Sequence, residues 1–253
     1  MLDAMTPMET ITLFDINITN CTLQEAARLI MDILSGGRPT IMHFINAHCI
    51  NVSRRDSEYL QILQSSNCNF ADGIGMKLAA RMHGLTLRDN VNGTDLYPLL
   101  LDALNGSGRR IFLLGGDPGV AEEMQRIALQ THPNLMFCGA HHGFISPEHN
   151  EAVVRQITEA KTDLLLIAMG VPRQEKWLAR HFENTGATLA MGVGGLFNFY
   201  SGAIPRAPRW MRKTGMEWLH RLLMEPGRMW KRYLIGNFVF LYYALRESAK
   251  TRR

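Results

Sequence analysis

Six short apolar runs, each ended or followed at once by glycine, asparagine or aspartate, recur along the first 200 residues with helix-length stretches between them. The runs are 41–46, 69–71, 110–114, 135–139, 163–169 and 188–193. Several are apolar without alternation, as strands buried on both faces must be. The stretches 23–34, 57–65, 75–83, 93–104, 119–131, 147–159 and 172–183 carry helical patterning. Strand and helix in alternation predict an α/β fold: a parallel sheet flanked by helices and joined by right-handed crossovers.

The pattern stops near Tyr200. Ser201-Gly202, Pro205 and Pro208 lead into a basic, aromatic, helical stretch. We therefore divide the chain into a catalytic body, residues 1–200, and a C-terminal appendage, residues 201–253. Residues 205–253 hold 12 Lys and Arg against 3 acidic residues, leaving 15 basic and 20 acidic elsewhere. A local charge of +9 beside a body of −5 calls for an anionic surface or ligand at the tail. The apolar run 233–245 is broken by Gly236-Asn237 and falls short of the ~20 residues that span a bilayer. Residues 1–14 lack a basic region followed by an apolar run, so no secretory signal is expected. Four scattered cysteines without C-x-x-C suit packing in a reducing, cytoplasmic compartment.

Ligands of open parallel sheets sit beyond the carboxyl ends of the strands, and four such ends are chemically pointed. Asn46 follows the first run; it suits a sugar hydroxyl or, equally, a helix cap. Asp72, between Ala71 and Gly73-Ile74-Gly75, suits a general base or an Asx turn. Gly115-Gly116-Asp117-Pro118-Gly119 joins strand to helix, the setting of a phosphate cradle or of a plain tight turn. It is not G-x-G-x-x-G, which counts against a nucleotide-binding oxidoreductase. The fourth end pairs Arg173, Gln174 and Glu175, in the first turn of a helix, with the glycines 192–195. Gly194 and Gly195 allow something flat or bulky to lie against the backbone.

In the tail, Arg209-Trp210-Met211-Arg212-Lys213 and Arg228-Met229-Trp230-Lys231-Arg232 share a basic spacing of i, i+3, i+4, with a tryptophan in each. With Leu219, Leu222 and Leu223, this suits an anionic lipid surface. Nucleic-acid binding and a solvated face are the alternatives. There is no D-x-D for a metal-bridged diphosphate, and the cluster His141, His142 and His149 has no ligand spacing, so no metal and no cofactor are expected.

Together these segments resemble the WecG/TagA/CpsF family of bacterial glycosyltransferases. The matching text is Phe70-Ala71-Asp72-Gly73-Ile74-Gly75, Val91-Asn92-Gly93-Thr94-Asp95, Phe112-Leu113-Leu114-Gly115-Gly116, Gly170-Val171-Pro172-Arg173-Gln174-Glu175 and Gly192-Val193-Gly194-Gly195. It continues through Arg206-Ala207-Pro208, Gly215-Met216-Glu217-Trp218-Leu219, Arg221-Leu222-Leu223 and Glu225-Pro226, in the family's order over about residues 10 to 235. The resemblance implies a Rossmann-like body and an inverting transferase. It implies a UDP-sugar donor, a polyprenyl-diphosphate-linked sugar acceptor, and work at the inner face of the cytoplasmic membrane in cell-surface polysaccharide synthesis. Asp72 then corresponds to a general base, and Asn46 and Gln174 to polar active-site positions. Arg221 and Arg228 correspond to appendage residues that meet the acceptor's diphosphate, and Lys231 falls where a further arginine occurs. Arg206, Arg209 and Arg212 join this basic set as acceptor or membrane contacts. Two positions depart from the pattern: Phe44 stands where some members have threonine, and Asn90 where many have arginine, with Arg88 nearby. The donor sugar, the acceptor sugar and association into a homo-oligomer are left open.

Overall fold

The computed structural model describes residues 8–251. Residues 1–7 of the predicted body, Arg252 and Arg253 of the tail, and the side chains of Lys213, Lys250 and Thr251 lie outside the described residues.

The six predicted strands form one parallel sheet. They are β3 (Thr40–Ile45), β4 (Cys68–Ala71), β5 (Arg110–Gly115), β6 (Met136–His141), β7 (Leu164–Ala168) and β8 (Leu189–Gly192), in the order β4-β3-β8-β7-β5-β6. The central strands β7 and β8 are buried at every position, as their unbroken apolar text requires. Helices cover both faces, giving the Rossmann-like α/β layering that was expected. They are α1 (Leu23–Leu34), α2 (Ala47–Ser53), α3 (Ser57–Ser65), α4 (Ile74–Met82), α5 (Gly93–Leu104), α6 (Val120–Thr131), α7 (Asn150–Glu159), α8 (Arg173–Thr185) and α9 (Leu196–Tyr200).

Three elements of the body were not foreseen. Helix α2 is short, and α9 has only one turn. An antiparallel hairpin, β1 (Thr10–Leu13) and β2 (Ile16–Thr19), precedes the sheet. Its period-2 pattern buries Ile11, Leu13, Ile16 and Ile18. The turn residues Phe14 and Asp15 both take positive φ, 57° and 63°. That geometry usually calls for Asn-Gly, so the turn carried no sequence signal.

The chain from residue 201 is helical: α10 (Arg209–Lys213), α11 (Glu217–Met224), α12 (Pro226–Trp230), a π-helical turn (Lys231–Ile235) and α13 (Gly236–Thr251). Helix α13 lies across α2 and α4. Its Phe240 and Ala244 are buried in the core shared by the hairpin, α2, α3 and α4, with Phe240 5.5 Å from the Phe14 ring. Asn51 donates to the Gly236 carbonyl at 2.7 Å, and the Ser248 hydroxyl to that of Met82 at 2.6 Å. Among the described residues no helix is long and apolar enough to cross a membrane. The four cysteines are free, three buried and Cys138 half-buried.

Candidate active site

Register places the reactive pair. Ile45 of β3 lies opposite Ala71 of β4, so the next residues, Asn46 and Asp72, leave the sheet side by side. Asn46 is the N-cap of α2: its Oδ1 accepts from the backbone N–H of His48 at 3.1 Å and of Cys49 at 3.3 Å. With its oxygen committed to the helix, its amide nitrogen points the other way and donates to Asp72 Oδ2 at 3.1 Å. The capping reading of Asn46 is therefore met, and the cap sets the orientation in which the amide meets Asp72. Asp72 caps nothing: the N-cap of α4 is Gly73, with no side-chain cap bond. Burial pushes the Asp72 carboxyl above its ordinary value and Asp95 adds to the rise, while Asn46, Arg232 and Arg221 pull it back. A carboxylate at a cleft floor, oriented by a donor and raised in basicity, has the attributes of a general base.

The other strand ends divide between lining the cleft and building it. Gly116 and Gly194 line it, as do Arg173 and Gly195. Gly115 does not. Its φ is +147°, and a Cβ there would fall 2.5 Å from the carbonyl oxygen of Ala168 on β7, so the residue serves strand contact. The Gly116 N–H already donates to that same oxygen at 3.0 Å, which removes it as a free phosphate donor. Gln174 both lines the cleft and braces it. It is 2 % exposed, its Oε1 accepts from Gly170 N–H at 3.2 Å and Gly194 N–H at 3.1 Å, and its Nε2 donates to Glu175 at 2.8 Å. It ties the β7 and β8 loops together beneath the cleft. Glu175, equally buried, has its carboxyl pushed up to about 7 by that burial. Arg173 donates to the Ile145 carbonyl at 3.1 Å, anchoring a neighbouring loop.

The flat group that rests on Gly195 belongs to the chain itself. A Cβ at Gly195 would lie 2.7 Å from Arg221 Nη2, so the guanidinium of the appendage lies directly on the body's backbone. Arg221 also stacks over Phe199 at 5.4 Å, and Glu225 holds it at 3.5 Å and Arg228 at 3.0 Å.

The tail's arginines thus separate into two groups. Arg206 binds Asp95 at 2.7 Å and the Thr94 carbonyl at 3.2 Å; Arg212 binds Asp95 at 3.4 Å and the Ala207 carbonyl at 3.1 Å. Both latch the appendage to the first turn of α5, and Arg212 lines the cleft as well. Arg209 is exposed and outside the cleft lining. Arg221, Arg228 and Arg232 line the cleft. Arg232 takes the place expected for Lys231, which instead turns out over Trp230 at 5.4 Å. The π-helical turn accounts for the exchange: with more than four residues per turn, position i+4 from Arg228 stays on the cleft side and i+3 swings away.

Of the two departures, Phe44 packs on Phe70 at 5.8 Å, under Gly93. Asn90 accepts from the Gly73 N–H at 2.5 Å and so shapes the loop that follows Asp72. Arg88 is held by Glu25 at 2.9 Å, outside the cleft lining. Sequence reasoning missed Arg232, His48 and Glu217 as lining residues. His48 is held uncharged, its pKa lowered to about 4 by burial and by Arg232. The whole forms one cleft of about 640 Å³, with Asp72 and backbone loops on one wall and cations on the other. That division of charge fits proton abstraction beside the departure of a phosphate-borne group.

The family model described as glycosyl transferase WecG/TagA/CpsF matches residues 11–253. The N-acetylglucosaminyldiphosphoundecaprenol N-acetyl-beta-D-mannosaminyltransferase of Bacillus subtilis (strain 168) is 31% identical over 194 residues, 77% of this chain and 75% of the relative. The Staphylococcus aureus (strain MW2) protein of the same name is 33% identical over 208 residues, 82% of this chain and 79% of the relative. Neither an oxidoreductase nor a nucleic-acid-binding protein is among these matches.

Proposed function

The chain belongs to the WecG/TagA/CpsF family of glycosyl transferases, and from that premise we propose that its cleft moves a sugar from a UDP-sugar to a sugar carried on a polyprenyl diphosphate, in the assembly of a bacterial cell-surface polysaccharide. The observation that carries this reading is the Asn46–Asp72 pair, set across one cleft from Arg221, Arg228 and Arg232. In it, residues 1–200 hold the nucleotide sugar and the appendage from 201 holds the acceptor.

The reaction is a single displacement. The acceptor hydroxyl oxygen forms a bond to the anomeric carbon as Asp72 takes its proton. The bond from that carbon to the β-phosphate oxygen breaks on the opposite face, and the configuration inverts. Charge developing on UDP is met by backbone N–H groups and arginines already in place. A metal is not part of this scheme, and a chelator is expected to leave the rate unchanged.

The acceptor's diphosphate lies at a bilayer surface, which locates the enzyme as a peripheral protein on the inner face of the cytoplasmic membrane. Trp210, Leu223, Met224, Leu234, Phe238 and Leu245 are large apolar residues exposed on the appendage. Phe238, Tyr242 and Leu245 follow one another at helical spacing along α13. The relatives' names make N-acetylglucosaminyldiphosphoundecaprenol the first acceptor to try and N-acetylmannosamine the first donor sugar. The test is UDP release from a panel of UDP-sugars with that acceptor in detergent. Acceptor-dependent release from one UDP-sugar is the expected result, and none from any of them would overturn the proposal.

A further inference from the structure

Helix α11 enters the cleft with two charged residues one turn apart, Glu217 and Arg221, and both line it. The displacement above uses the arginine and leaves the carboxylate idle. Glu217 Oε1 is buried from solvent and has no hydrogen-bond partner. Its nearest cation, Arg206, stands 3.9 Å away and is committed to Asp95 at 2.7 Å. Burial pushes the Glu217 carboxyl above its ordinary value; Arg206 pulls it back, and the negative charges of Asp95 and Asp72 raise it again. Oε1 is the oxygen turned toward Arg206, while the side chain as a whole stays 30% exposed and lines the cleft. A carboxylate so weakly paired on its buried side is expensive to maintain unless a ligand in the cleft completes it.

We propose that Glu217 binds hydroxyls of the acceptor sugar and is the residue by which the appendage recognises that sugar. The inference rests on the acceptor proposed above. The order of charge along α11 supports it. Four residues of helix rise about 6 Å, roughly the step from a sugar ring to the phosphate on its anomeric oxygen. A carboxylate repels phosphate and accepts from hydroxyls, while a guanidinium does the reverse. Glu217 followed by Arg221 therefore matches a sugar followed by its diphosphate, and it sets the sugar end of the acceptor toward Asp72. The helix polarity fixes the direction in which the lipid enters.

Two variants separate recognition from mere support of the helix. Glu217→Gln keeps the shape and can still meet a hydroxyl; Glu217→Ala removes both. With the full chain in detergent, the KM for N-acetylglucosaminyldiphosphoprenol is expected to rise about tenfold to a hundredfold in Glu217→Ala and less in Glu217→Gln, the scale of a lost hydrogen bond to a charged group. The KM for the UDP-sugar should stay within about twofold. Inhibition by a prenyl diphosphate lacking the sugar, which meets only the arginines, should be unchanged. Equal weakening of the sugar-free inhibitor in both variants would assign Glu217 to holding α11 in place and overturn the inference. So would an unchanged acceptor KM in Glu217→Ala, measured beside a wild type that transfers normally. Absence of transfer by the wild type would instead overturn the proposed reaction itself.

Discussion

The two walls of the cleft are built by different rules. The body wall is a product of sheet geometry: Asn46 and Asp72 meet because β3 and β4 are in register, and the neighbouring loops after β7 and β8 are tied together by Gln174. The appendage wall is a product of charge. It lies on the body through a guanidinium on Gly195, an Asp95 latch and two apolar residues of α13. In the proposed reaction the chemistry sits on the rigid wall and recognition on the added one. A carboxylate that must abstract a proton has to be fixed to a fraction of an ångström, whereas cations that hold a diphosphate act over several.

Substitutions can break this contrast, and the largest effect belongs to the rigid wall. Asp72→Asn should lower turnover roughly 10²-fold or more, the scale of a general base, while UDP-sugar affinity measured by calorimetry is kept. Near-normal turnover would remove Asp72 from that role. On the opposite wall, Arg221→Ala or Arg232→Ala should raise the acceptor KM by about tenfold or more, as loss of a charge-assisted contact does, with a smaller change in the donor KM. Equal changes for both substrates would mean the walls do not divide the work as described.

The pH profile sharpens the same point. Asp72 must be ionised to act, and its pKa stands above the ordinary aspartate value. Activity should therefore fall as pH drops through a value higher than that of a free aspartate. Asn46 favours the ionised form, so Asn46→Ala should move this limb to still higher pH. It should also cost about 1 kcal/mol of stability by uncapping α2, read by thermal melting.

The latch comes next in size. The Asp95 pKa is lowered: burial opposes the shift, but Asn92, Arg206 and Arg212 outweigh it. A carboxyl with a depressed folded pKa contributes stability above its unfolded pKa and loses it as pH falls through the folded value. Asp95→Asn should thus cost about 1 kcal/mol at neutral pH, with the partial exposure of the pair allowed for, and nothing in strong acid. Smallest of all, Lys231→Ala should leave both KM values within about twofold, since Lys231 faces Trp230 and not the cleft.

How far the site could be read in advance follows the same division. The sheet strands were visible because burial on both faces writes itself as unbroken apolar text, and Asp72 stood out as a carboxylate at the end of one. Gln174 was placed at the right edge, but whether an amide faces the cleft or the loops beneath it depends on tertiary contacts that spacing does not encode. Lys231 and Arg232 are indistinguishable on an ideal helix that begins at Arg228; only the wide turn separates them. Glu217 entered only as one letter of the segment Gly215-Met216-Glu217-Trp218-Leu219; it sits in the first turn of α11, where acidic residues are common for reasons of dipole alone. The basic count of the tail was legible, yet it gave no means of telling the latching Arg206 from the cleft-facing Arg221 and Arg228, or of seeing that Arg212 does both.

The burial of Phe240 and Ala244 also sets an order in time. Chains fold from the amino end as they leave the ribosome, and the sheet with Asn46 and Asp72 is complete in sequence by Gly192. The core beneath α2 and α4 nevertheless stays open until α13 arrives to fill it, and the turn that aims Arg232 lies directly before that helix. Closure of this core therefore follows completion of the sheet in the growing chain. A nascent chain stopped short of residue 240 would carry Asp72 and the arginines Arg221, Arg228 and Arg232 but not the residues that close the core beneath α2 and α4.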